Sequence, residues 1–169
     1  GHQIYVVTPL IAESEVLDTA NATEIYENMK RYFEGITNVG LIHGRLKTEE
    51  KEEIMAKFLA NEIGILVATS VIEVGVNVVN ATTIVILGAE RFGVATLHQL
   101  RGRVGRGNDQ SYCIMFAQGS SDITKKRMEI MCKTNDGFLI SEEDLKLRGP
   151  GDFFGTRQHG LPELKIANL

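Results

Sequence analysis

The chain has 169 residues, of which 43% are hydrophobic, and a formal net charge of −4, so it suits one domain or one domain with an appendage. This charge excludes a basic field over the whole molecule, and any contact with nucleic acid must therefore be local. No apolar run approaches the roughly 18–20 residues of a membrane span, and two cysteines are too few for a disulfide framework. We expect a reduced, cytoplasmic protein.

Short runs rich in β-branched residues alternate with amphipathic stretches from the N-terminus onward. Strands are predicted at 3–8, 39–43, 63–69, 83–87 and 111–117. Between them we predict a partly helical loop at 10–23, a helix at 22–34 and a short helical turn at 71–74. Another helix is predicted to begin at Thr48 as its cap, with a buried stripe of Ile54, Met55, Phe58 and Leu59. This alternation indicates a parallel sheet with right-handed crossovers and helices on its faces.

A further helix is predicted from about residue 95, since apolar residues recur there at helical spacing: Leu97, Leu100 and Val104. Such a helix would place Gln99, Arg103 and Arg106 on one face and turn Arg101 elsewhere. Two guanidiniums on one face suit a polyanion, because each offers a rigid fork of donors that matches phosphate oxygens.

Two glycines interrupt this arginine-rich segment. In a helix Gly102 and Gly105 would each cost roughly 1 kcal/mol, which indicates a site that a ligand or a backbone approaches closely. The alternative is a solvated basic helix end, where the arginines interact favourably with the helix dipole.

Polar residues follow three of the predicted strands. Thr8 ends the first strand, Gly44 and Arg45 follow the second, and Thr69 ends the third. Ligands of parallel α/β sheets bind beyond the carboxyl ends of the strands, so we expect these residues along one edge. The plain alternatives are that Thr8 only ends a strand and that Gly44 and Arg45 form an ordinary turn.

The C-terminal part of the sequence differs from the rest. A helix is predicted at 122–133, and Ser141 can cap another, with Asp144 three residues later. Glycine and proline are then frequent between residues 149 and 160. We predict two parts, an α/β domain at 1–120 and a helical and Gly-rich extension at 121–169. The alternative for the extension is a structural loop that wraps back onto the sheet.

Residues 98–106, HQLRGRVGR, resemble the Q-x-x-G-R-x-G-R motif (motif VI) of superfamily 2 helicases. Segments 89–93, 134–138, 147–152 and 155–160 resemble the RecG branch of these DNA helicases. The resemblance covers essentially the whole chain and implies a second RecA-like domain (a P-loop NTPase-type parallel sheet) with a C-terminal extension. It implies that Arg103 and Arg106 are catalytic and reach a triphosphate, with Gln99 and Gly102 close to the nucleotide.

The same resemblance assigns contacts to four other segments. Residues 68–77 resemble motif V, which implies that Thr69 binds DNA phosphate and that three residues lie near the nucleotide: Glu73, Gly75 and Asn77. The family usually has Asp where this chain has Asn77, and Asn keeps the hydrogen bonds without the charge. Thr8, Gly44 and Arg45 are implied to contact the DNA backbone. The extension resembles a motif that couples domain movement to translocation, with four implied DNA contacts: Arg148, Thr156, Arg157 and Gln158.

Neither a G-x-x-x-x-G-K-[ST] loop nor an Asp-Glu-x-His box occurs in the sequence. The resemblance therefore implies that ATP with Mg²⁺ is bound mainly by a first RecA-like domain in cis, and that this chain alone is inactive. It further implies a monomeric ATP-dependent DNA helicase that acts on branched or forked DNA. The alternatives are a translocase like the transcription–repair coupling factor, an RNA-directed helicase, and a stand-alone RecA-like binding module.

Overall fold

The computed structural model describes residues 1–10, 15–69, 78–119 and 121–148, without the side chains of Glu15 and Arg148. Within these residues five strands form one sheet: β1 (Gln3–Thr8), β2 (Val39–Ile42), β3 (Ile65–Thr69), β4 (Ala81–Leu87) and β5 (Tyr112–Phe116). All neighbouring strands are parallel, in the order β2-β3-β1-β4-β5. The predicted α/β class, with a parallel sheet flanked by helices, is confirmed.

Five α-helices accompany the sheet in the part of the chain that the structure describes: α1 (Glu15–Tyr32), α2 (Thr48–Leu59), α3 (Val94–Arg101), α4 (Asp122–Lys133) and α5 (Gly137–Arg148). A short 3-10 helix at Ala89–Arg91 precedes α3. None of these helices combines the length and the apolar character that a membrane crossing requires.

The two faces of the sheet are covered differently. On one face α1 packs against β2, β3 and β1, where Ile25 and Met29 lie against Val6 and Val67. On the other face α2 and α3 bury Phe58 and Leu97 in the main core, and α4 and α5 add the buried side chains Met131 and Ile140. The central strands are buried on both sides, which explains why they appear in the sequence as continuous apolar runs.

The N-terminal helices differ from their predictions at three points. Helix α1 begins at Glu15, within the segment that was predicted as a loop. Thr48 is the first residue of α2 and not its cap, because the cap position is Lys47, whose backbone N–H donates to the Glu50 carboxylate at 2.8 Å. The predicted stripe is wrong at Leu59, which is 48% exposed. The predicted turn at 71–74 lies outside the described residues.

The C-terminal helices form a hairpin that packs on α3. Helix α4 has the predicted bounds, and Arg127 of α4 pairs with the nearly buried Asp144 of α5 at 2.8 Å. The prediction that Ser141 caps a helix is wrong, because Ser141 lies inside α5 and donates to the Gly137 carbonyl at 2.9 Å. Asp136 takes that role and accepts from the Phe138 N–H at 2.9 Å. The domain division at residue 120 stays a prediction.

Candidate functional site

Helix α3 ends at Arg101, before the two glycines of the arginine-rich segment. Gly102 closes the helix through its N–H, which donates to the His98 carbonyl at 3.1 Å. Gly105 has φ +81, a left-handed conformation that favours glycine. The prediction of one helical face carrying Gln99, Arg103 and Arg106 is therefore wrong, since both arginines lie in the loop beyond the helix. We call residues 102–106 the arginine loop.

Arg101 is turned away from the arginine loop, as predicted, and binds the end of α4. Its guanidinium donates to the carbonyls of Met131 at 2.6 Å and Thr134 at 2.8 Å, and it contacts His98 Nδ1 at 2.9 Å. The last carbonyls of a helix have no partner within the helix, so the Arg101 guanidinium satisfies two of them. Arg101 thereby joins the start of the arginine loop to the C-terminal hairpin.

The charges of Arg103 and Arg106 both act on Tyr5, a buried residue of β1. Burial raises the pKa of Tyr5 to about 12, and the positive charges of Arg103 and Arg106 act in the opposite direction. Both guanidiniums therefore lie within electrostatic range of one hydroxyl group on β1. Arg106 is exposed, and its Nε donates to the Gly102 carbonyl at 3.0 Å, while Arg103 is half-buried.

Two of the five other residues that were predicted near the nucleotide lie next to these arginines in the chain. Gln99 is exposed on the last turn of α3, and Gly102 is exposed directly after that helix. A Cβ atom on Gly102 would lie 3.4 Å from the Gln99 carbonyl oxygen, so the chain is tight but has room there for a small side chain. Gln99, Gly102 and Arg106 are thus exposed within one short segment, whose amide and guanidinium donors suit a polyphosphate.

The predicted DNA-contacting residues lie along the carboxyl edge of the sheet. Thr8 and Thr69 are partners in the register of β1 and β3, and Ile42 of β2 pairs with Ala68, so the segment after β2 lies beside Thr69. Thr8 Oγ1 donates to the Ala68 carbonyl at 3.5 Å, a long hydrogen bond. Exposed Gly44 and Arg45 follow in the turn after β2. The structure brings these segments together, as the sequence predicted.

His43 precedes Gly44 and Arg45 at this edge, and no binding role was predicted for it from the sequence. His43 is half-buried directly after β2, and burial lowers its pKa, with the charges of Arg45 and Lys51 acting in the same direction and that of Glu50 against them. The buried atoms His43 Nδ1 and Thr69 Oγ1 have no hydrogen-bond partner among the described residues. Its position directly after a buried strand was the signal that could have identified it.

Several predicted site residues cannot be placed against this geometry. Six lie outside the described residues: Glu73, Gly75, Asn77, Thr156, Arg157 and Gln158. Arg148 is the last residue of α5, and its side chain is also outside them. Among the residues that the structure describes, no group of three or more His, Cys, Asp or Glu side chains is arranged to hold a metal ion.

Residues 1–108 match the family model of the helicase conserved C-terminal domain, and residues 134–169 match that of ATP-dependent DNA helicase RecG, domain 3, C-terminal. The whole chain is 56% identical to ATP-dependent DNA helicase RecG of Bacillus subtilis (strain 168) and 54% identical to that of Staphylococcus aureus (strain NCTC 8325 / PS 47). In both comparisons it spans 25% of the relative.

A solved structure described as RecG bound to a three-way DNA junction is similar in three dimensions. Its TM-score is 0.73 at 42% sequence identity, and the match covers 98% of this chain and 21% of the other. The chain thus spans about a quarter of the length of the curated relatives it matches.

Proposed function

The chain belongs to the family of helicase conserved C-terminal domains, as a domain of RecG type, and on this premise we propose that it is the second motor domain of an ATP-dependent DNA helicase. In this proposal a first RecA-like domain of the same polypeptide binds ATP with Mg²⁺. The present domain supplies arginines to the triphosphate and contacts the DNA backbone. We propose a cytoplasmic monomer that acts on branched or forked DNA.

The observation that carries this proposal is that Arg103 and Arg106 lie in the arginine loop, half-buried and exposed, and that both charges act on Tyr5, while Arg101 binds α4. Hydrolysis of ATP places growing negative charge on the transferred phosphoryl group, and a guanidinium from a neighbouring domain stabilises that charge. Arg106 is exposed, and its Nε donates to the Gly102 carbonyl, which leaves the donors of the two terminal NH₂ groups for a ligand. This geometry supports a cation that acts across a domain interface.

The carboxyl edge supports the second part of the proposal. Gly44 and Arg45 are exposed beside Thr8 and Thr69, whose side chains are buried, in a row over three adjacent strands. The groups that this row offers at the surface are backbone N–H groups and one guanidinium. Such groups contact phosphate oxygens and fix the position of a nucleic acid without reading its sequence. On a chain of net charge −4, binding then depends on this local row.

Two variants of the full-length protein separate the two parts of this proposal. We expect Arg106→Ala to lower the kcat of DNA-stimulated ATP hydrolysis at unchanged DNA affinity. We expect Arg45→Ala to weaken DNA binding and to reduce the slope of log affinity against log salt by about one, with turnover retained at saturating DNA. Arg31→Ala, at the end of α1 on the opposite edge, is the matched control and should change neither.

The result that contradicts the motor proposal is a kcat that stays at the wild-type value in Arg106→Ala and also in Arg103→Ala. Equal loss of turnover in the Arg31→Ala control would also contradict it, because the effect would then come from general loss of charge or of folding.

A further inference from the structure

A groove opens at the carboxyl edge of the sheet, directly beyond Thr8, on the face that α1 covers only in part. Helix α1 packs on β2, β3 and β1, and the outer strands β4 and β5 extend past it. The groove has a volume of about 390 Å³ and lies between α1 and the carboxyl ends of β4 and β5. Ile25 and Leu87 form an apolar floor, and the rim is polar and aromatic: Asn21, Arg91, Phe116 and Gln118. We call it the edge groove.

Phe116 presents an aromatic ring to the edge groove. It is the last residue of β5, pairs in register with Leu87, and is 57% exposed. An aromatic side chain with more than half of its surface exposed, beside apolar neighbours, offers a flat platform for another ring. Nucleobases stack on such platforms without sequence preference, because every base has a π-face.

Arg91 places a guanidinium in the same groove. Its side chain is 51% exposed, and its stem passes over Gly88, where an added Cβ atom would lie 2.8 Å from Pro9 Cγ and 3.6 Å from Arg91 Cδ. Gly88 also has φ +61, so glycine is required there for both the turn and the close approach. The stem of Arg91 and the ring of Pro9 therefore lie on either side of Gly88, and both residues line the edge groove.

Glu90 lies beside Arg91 and offsets only part of the positive charge of its guanidinium. One carboxylate oxygen of Glu90 accepts from the Gln118 backbone N–H at 2.8 Å, and the other lies 3.8 Å from Arg91 Nε. An ion pair at that distance near solvent is weak. The Arg91 guanidinium therefore keeps donors for an anion, and the side-chain amides of Asn21 and Gln118 add hydrogen-bonding groups at the rim.

We propose that the edge groove binds one nucleotide of a single strand of nucleic acid, with the base stacked on Phe116 and the phosphate bound by Arg91. The volume is at the low end of the roughly 300–1,000 Å³ that small-ligand sites occupy. The groove continues the row of Thr8, Thr69 and Arg45, and it adds base stacking to a surface of backbone contacts. This inference rests on the proposed function, because it extends the proposed DNA path along β4 and β5.

The test measures the affinity of the full-length protein for a fluorescent single-stranded oligonucleotide over a range of salt concentrations. Phe116→Ala should weaken binding roughly 5- to 160-fold, since base–aromatic stacking contributes about 1–3 kcal/mol per base, and should leave the salt slope unchanged. Arg91→Ala should reduce the magnitude of the slope by about 0.7, the value for one phosphate contact to a single strand. Phe116→Tyr keeps the ring and should keep the affinity, whereas Phe116→Leu should lose it.

The chain offers a matched control on the same strand. Tyr112 lies on the same face of β5, is also 57% exposed, and is at the opposite end from the edge groove. Tyr112→Ala should bind the oligonucleotide as the wild type does. Equal loss in Tyr112→Ala and Phe116→Ala would overturn the inference, because the loss would then not be specific to a base stacked at the edge groove.

Arg45→Ala is measured in parallel to separate this inference from the proposed function. If Arg45→Ala weakens binding and neither Phe116→Ala nor Arg91→Ala does, the edge groove binds no nucleotide and the proposed DNA edge stands. If Arg45→Ala also binds as tightly as the wild type, the DNA edge itself is contradicted, and the inference that extends it is overturned as well.

Discussion

The last turn of α3 and the arginine loop carry the same side chain within two residues and use it differently. Arg101 gives its guanidinium to the end of α4, whereas the charges of Arg103 and Arg106 both act on Tyr5 and Arg106 is exposed. The helix ends between them, at Gly102. Position relative to the helix end, and not residue type, therefore separates the arginine that binds α4 from the two arginines that are proposed to act on a triphosphate.

The largest expected effect on the fold is that of Arg101→Ala. Two hydrogen bonds from a charged donor to the end of α4 are lost, and each such bond contributes about 1.5–3 kcal/mol before solvent exposure is considered. Since Arg101 is partly exposed, we expect a loss of about 2–4 kcal/mol in the free energy of unfolding, measured by urea titration. Arg106→Ala, in the exposed part of the loop, should change the midpoint little. Equal midpoints for both variants would remove the distinction between the two regions.

A smaller effect on the free energy of unfolding is expected at the start of α5, which follows the end of α4 that Arg101 binds. Asp136→Ala removes the acceptor for the Phe138 N–H and should cost about 1 kcal/mol, as loss of a helix cap does. Ser141→Ala should cost a few tenths of a kcal/mol at most, because its hydroxyl only donates back to a helix carbonyl. Urea midpoints compare the two variants, and the reverse order would restore Ser141 as the cap.

The smallest effect is the pH dependence of stability at the carboxyl edge. There His43 is half-buried and Arg45 is exposed, as Arg101 is half-buried and Arg106 is exposed near the arginine loop. The pKa of His43 is lower in the folded chain than in the unfolded chain. Its contribution to stability is therefore fully present above the unfolded pKa of about 6.5 and is lost as the pH falls through the folded pKa. Arg45→Ala should raise the pKa of His43 toward its ordinary value, as followed by an NMR titration of the ring.

The control for that titration is Arg31→Ala, which removes an arginine far from His43 and should leave its pKa unchanged. A His43 pKa that is the same in Arg45→Ala and in the wild type would show that Arg45 does not act on the ring.

The sheet was predictable because its strands carry their own signal. Each predicted strand agrees with the structure within two residues at either end, since buried parallel strands are short, apolar and rich in β-branched residues. The row of Thr8, Arg45 and Thr69 followed from the same rule, because parallel strands bring their carboxyl ends to one edge. The positions of these residues therefore depend only on the order and direction of the strands.

The arginine loop was less predictable, for a physical reason. Leu97, Leu100 and Val104 keep helical spacing past the end of α3, because Val104 packs on the core from the loop. Gly105 then adopts a left-handed conformation, which glycine reaches at little steric cost. The spacing of the apolar residues therefore does not reveal that this segment is a loop. The effect of both loop arginines on Tyr5 joins residues about 100 positions apart in sequence and appears only in the folded chain.

The most direct test of the division between the two regions is the kcat of DNA-stimulated ATP hydrolysis by the full-length protein with Arg103→Ala. The account predicts a loss of two or more orders of magnitude, within reach of the roughly 10³–10⁵-fold effect of an arginine finger, with ATP binding little changed. Turnover equal to that of the wild type would contradict it, and the arginine loop would then be a DNA clamp or a structural end of α3.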